Sequence, residues 1–124
     1  MNRKSRLILQ AYLPVAIWAG LIFFLSSRQT LPSPNDEMLN FLLKKIAHMF
    51  VYGVLFLLIN RAFIITHHVS QKYLLSASLI LTMLYAGSDE LHQAFVANRT
   101  ATFRDIGYDF LGAGIAVLWS LRLI

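Results

Sequence analysis

The chain has 124 residues, a length that suits one domain, and no cysteine, which excludes disulfides, iron–sulfur clusters, thiolate zinc sites and a cysteine nucleophile. It is 57% hydrophobic and 14% charged; soluble domains usually carry about 25% charged residues, so lipid is the expected surrounding. The net charge of +5 comes without a basic stripe or a recognition motif, so anionic lipid rather than nucleic acid is the expected partner.

A membrane span needs about 20 mostly apolar residues. The first candidate covers residues 7–27 and is interrupted only by Gln10 and Pro14. Arg3, Lys4 and Arg6 ahead of it also fit a secretory signal peptide, but the run is long and no small-x-small cleavage site follows, so it is expected to be retained. Pro32 and Pro34 break the chain next. The remaining candidates cover about residues 46–65, 73–90 and 106–123. The expectation is an all-α polytopic membrane protein, one domain over residues 1–124, built as a bundle of four transmembrane helices.

Basic residues before the first span hold the N-terminus in the cytoplasm, and four spans then return the C-terminus to the same side. The eleven Lys and Arg divide six inside and five outside, which decides little alone. The acids are more informative. All six, Asp36, Glu37, Asp89, Glu90, Asp105 and Asp109, fall on the extracytoplasmic side of that topology. Trp119 suits an interfacial position, Trp18 suits packing, and His67 and His68 read as solvated loop residues.

Three of the spans carry a polar stripe at that outer level. Lys45, His48 and Tyr52 are spaced i, i+3, i+7 and share one helical face; Tyr85, Asp89 and His92 repeat the spacing, with Gln93 beside them and Glu90 on an adjoining face. Asp105, Asp109, Gly112 and Ala116 form the third stripe, whose small members let a neighbouring helix approach. An ionised side chain at a helix centre costs about 2.5–3.5 kcal/mol on insertion, so these groups should turn inward and pair. Lys45, Arg99 and Arg104 are the cations available to the carboxylates.

The run Ser88-Asp89-Glu90-Leu91-His92-Gln93-Ala94-Phe95, then Asn98-Arg99-Thr100, Arg104-Asp105 and Asp109-Phe110-Leu111-Gly112, resembles the pattern of VanZ-like membrane proteins; Lys45-x-x-His48-x-x-x-Tyr52 resembles that family's second-span motif. The likeness runs from about residue 24 to residue 117. Two departures are visible: Lys44 stands where members often have an acid, and Ala97-Asn98 where they often have Pro-Gly. The family's namesake is associated with low-level resistance to teicoplanin, an antibiotic that acts at the outer surface. The resemblance therefore implies a cell-envelope protein whose site faces outward.

Four readings of the polar residues remain open at this level. A non-enzymatic protein would bind a lipid-linked or lipid-like molecule, with Lys45 and Arg99 on its phosphate or carboxylate and Tyr52, Tyr85 and Phe95 on its apolar part. A membrane-embedded hydrolase or transferase would use Asp89 or Glu90 as general base, His48 or His92 as acid–base partner and Lys45 to stabilise negative charge. A purely structural network would staple the bundle. A metal site of His48, His92, Glu90 and Asp105 is disfavoured, because Glu90 and His92 do not share a helical face and Lys45 would repel a cation. No metal or other cofactor is expected.

Overall fold

The computed structural model describes residues 1–28, 32–97 and 102–123. Its four helices are α1 (Arg3–Ser26), α2 (Glu37–Thr66), α3 (Gln71–Ala94) and α4 (Phe103–Ser120). Local chemistry starts the first three. The side chains of Asn2, Asp36 and Ser70 each accept a hydrogen bond from the backbone N–H three residues on, satisfying a donor that the first turn leaves free. Thr102 precedes α4 in extended conformation, and its hydroxyl lies 3.1 Å from Oδ2 of Asp105. Pro14 sits inside α1, and the helix continues through it.

All four expected helices are present, but their lengths and polarity differ. At about 1.5 Å per residue, α2 is about 45 Å long, more than the roughly 30 Å of a hydrocarbon core. It begins nine residues before the predicted span, so Lys44 and Lys45 lie well inside a helix rather than at its edge. Of the four expected spans, α1 and α2 are long and apolar enough to cross a membrane, and among the described residues they are the two that are. The physical reason is charge at the ends. The second half of α3 carries Asp89, Glu90, His92 and Gln93, and the 18 residues of α4 include Arg104, Asp105 and Asp109.

Packing centres on α2, which touches each of the other helices and α4 most extensively. Tyr52, Leu55 and Ile59 of α2 are buried against Ile22 of α1 and Ala86 of α3; Phe56 is buried against Leu75, Ala113 and Ala116. The α2–α4 crossing depends on glycine. A Cβ on Gly112 would collide with the backbone of Met49, and one on Gly53 would come within 3.1 Å of the Gly112 carbonyl oxygen. The stripe of small residues on α4 therefore does permit close approach. The outer surface is apolar on every helix, with Ile17, Phe50, Ile80, Leu84, Phe110 and Trp119 among the exposed side chains.

Candidate functional site

The close α2–α4 crossing fixes how the polar stripes meet. Lys45, eight residues into α2, forms an ion pair with Asp105 in the first turn of α4. Its ammonium also lies 5.3 Å from the ring centre of Phe41 and 5.1 Å from that of Tyr108, a cation–π setting. One turn further along α2, Nδ1 of His48 is 2.8 Å from Oδ1 of Asp109. Another turn on, the Tyr52 hydroxyl donates a 2.7 Å bond to Oδ2 of Asp89 on α3. The same oxygen accepts from Nε2 of Gln93 at 3.2 Å, and that amide nitrogen also lies 3.3 Å from the Ser26 hydroxyl at the end of α1. Side chains from all four helices thus join at one end of the bundle.

Glu90 is the exception. Its side chain is 5% exposed, and neither carboxylate oxygen has a hydrogen-bond partner among the described residues. Asp109 is fully buried and its Oδ2 is likewise without a partner. A nitrogen of His48, a carboxylate oxygen of Glu90 and one of Asp109 all lie within 4.8 Å of one another. Four carboxylates, Asp89, Glu90, Asp105 and Asp109, share this region with one ammonium and one imidazole. Buried charge is retained at low free-energy cost only when it is paired and hydrogen-bonded, and among the described residues the buried acids here outnumber the basic groups that reach them.

Most of the residues picked out by spacing come together here: Lys45, His48, Tyr52, Asp89, Glu90, Gln93, Asp105 and Asp109. Four others stand apart. The Tyr85 hydroxyl donates to the Ala19 carbonyl of α1 at 2.5 Å, so its polar end ties two helices together, while its ring lies 6.5 Å from that of Tyr52. His92 stacks on Phe23 at 4.6 Å, its buried Nδ1 is unpartnered among the described residues, and it joins none of the bonds above. Arg104 is exposed. Arg99, expected to bind an anion, lies outside the described residues. Phe95, expected at the apolar part of a ligand, is largely exposed.

Spacing missed Ser26, a single hydroxyl ending an apolar run, whose partner is set by tertiary packing alone. It also missed Trp18 as a donor: Nε1 bonds the Val51 carbonyl at 2.9 Å, a link between α1 and α2 within the packing role expected of it. Thr102 heads a Thr-x-x-Asp sequence at a helix start, a capping pattern, but its hydroxyl donates to the Asp105 carboxylate and makes no cap bond to the backbone.

The fold and this end of it define an all-helical protein with an apolar outer surface and a buried acidic network shared by α2, α3 and α4. The family model described as VanZ/LLP1 matches residues 5–123, nearly the whole chain, and the chain belongs to that family. No curated protein and no solved structure matches it.

Proposed function

We propose that this chain is a four-span protein of the cytoplasmic membrane with both termini cytoplasmic. Its polar end faces outward, and there it binds the headgroup of a lipid-linked or lipid-like envelope molecule. The observation that carries the reading is Glu90, buried beside His48 and Asp109 with neither oxygen hydrogen-bonded among the described residues. A network that only stapled the bundle would pair each of its carboxylates; an unpaired one is held at a free-energy cost that a ligand contact can offset. The exposed apolar faces of α3 and α4 support membrane insertion for these helices too, with their acids collected at one end.

Beside the network runs a shallow apolar groove of about 400 Å³ between α2 and α4, lined by Ile46, Met49, Leu57, Ile115 and Trp119 among others. That volume is in the range of small-molecule sites, and a headgroup near His48 would leave its apolar part beside this wall. The role of Lys45 changes from the one its sequence context suggests. Asp105 already neutralises it, so the headgroup's anchor is the acidic side of the site rather than a free ammonium.

The test is extraction of co-purifying lipid. Chain purified in mild detergent should retain a defined lipid species by mass spectrometry, and Glu90→Gln should lose it at equal protein yield. Identical lipid content in the two proteins would remove the reading. A hydrolase or transferase acting on a lipid headgroup is the second reading, favoured by the Glu90–His48 proximity, which suits a base and its acid–base partner. Turnover of lipid phosphates by the purified protein, abolished in Glu90→Gln, is its expected sign; turnover unchanged by that substitution takes Glu90 out of the mechanism.

A further inference from the structure

We propose that His48, Glu90 and Asp109 form a binding site for one divalent metal ion, with zinc or manganese as the chemical class. Each residue comes from a different helix, α2, α3 and α4, and one donor atom from each lies within 4.8 Å of the other two. Zinc binds imidazole nitrogen and carboxylate oxygen at about 2.0–2.2 Å, so ligands on one ion lie roughly 3–4 Å apart, a small contraction from this arrangement. Nδ1 of His48 is hydrogen-bonded to Oδ1 of Asp109 at 2.8 Å, so an ion held by these two atoms would displace the proton between them.

The second, independent observation is the lack of partners. Glu90 is 5% exposed with both oxygens unbonded among the described residues, and Oδ2 of the fully buried Asp109 is also unbonded. A dication at this point would compensate both carboxylates; among the described side chains Asp109 has His48 as its basic partner and Glu90 has none. Lys45, whose charge argues against a metal when the sequence is read alone, is tied to Asp105 and so is largely neutralised. The ligand set differs from the one spacing suggests: His92 stacks on Phe23 and Asp105 is taken by Lys45, while Asp109 supplies the third ligand. One imidazole with two carboxylates suits a borderline ion, and three protein ligands leave a position open to a headgroup oxygen.

The site stands whether or not the lipid reading does, and the experiment separates them. The full chain is purified in detergent, stripped with a chelator, freed of it and titrated with zinc chloride by calorimetry. One ion per chain is expected, with affinity at least tenfold weaker in Glu90→Gln and in His48→Gln. The double variant His67→Ala, His68→Ala should titrate like wild type, which excludes the loop histidines. Zinc should also raise the unfolding temperature of wild type and not that of Glu90→Gln, whose folding is checked by helical circular dichroism. Failure to saturate at one ion per chain, full affinity in Glu90→Gln, or loss of binding in the loop double variant would overturn the proposal. Lipid retained by wild type in chelator and lost in Glu90→Gln would leave the headgroup reading standing without the metal.

Discussion

The Tyr52 hydroxyl donates a 2.7 Å hydrogen bond to Oδ2 of Asp89, crossing from the middle of α2 to α3 in a fully buried position. With Gln93 it supplies the two donors that satisfy this oxygen. Tyr52→Phe keeps the ring in the core and removes one donor from a buried charged acceptor. A loss of about 1–3 kcal/mol is expected. It should appear as a lower unfolding temperature in detergent with unchanged helix content. Unchanged stability would mean that water or another donor serves Asp89.

Gly112 and Gly114 lie two residues apart on α4 and should respond oppositely to alanine. At Gly112 a methyl would meet the Met49 backbone, which cannot rotate away; at Gly114 nothing lies within 4 Å. Gly112→Ala should destabilise by about 1–3 kcal/mol, the usual range for overpacking, and loosen the Lys45–Asp105 and His48–Asp109 contacts at the same crossing. Gly114→Ala should be neutral or slightly stabilising, as alanine favours a helix. Thermal unfolding of the two variants side by side is the measurement.

Lys45 and Asp105 are both largely buried, with side-chain exposures of 17% and 10%. Lys45→Ala alone strands a carboxylate, and a loss of about 3 kcal/mol is expected, the low end for breaking a buried pair because both groups keep some solvent. Adding Asp105→Asn should recover most of it. A double variant as unstable as Lys45→Ala would show that the lysine acts through packing against Phe41 and Tyr108.

Glu90→Gln exchanges an unpartnered buried carboxylate for a neutral group of the same shape. In metal-free, delipidated protein it should raise the unfolding temperature, because the free energy spent on burying the charge is relieved. Lower stability would imply that Glu90 has a structural partner.

Topology can be read with single cysteines, since the chain has none of its own. An impermeant maleimide should label Ser33→Cys in intact cells, or in spheroplasts where an outer membrane is present, and Val69→Cys only after the cytoplasmic membrane is permeabilised. The opposite pattern would invert the bundle, and labelling of both without permeabilisation would remove the four-span arrangement.

The helices and the polar faces were legible in the sequence, but the start of α2, nine residues ahead of the expected span, was not. Apolar run length is a local property, and i, i+3, i+7 spacing puts Lys45, His48 and Tyr52 on one side of any α-helix. That three helices carry such stripes at one level follows from the order of the segments. The partners were not legible. Periodicity defines a face, but not how far a helix slides or turns against its neighbour. Here the contact of Gly112 with Met49 sets both for α2 and α4, delivering Asp105 to Lys45 and Asp109 to His48. By the same geometry Gln93 reaches back to Ser26, His92 turns to Phe23, and Glu90 is buried without a partner among the described residues. Sequence alone determined that this is a helical, lipid-suited chain with its acids gathered toward one end. Only the tertiary structure decided which acid is left uncompensated, because pairing depends on the register between helices and that register is set by a backbone contact.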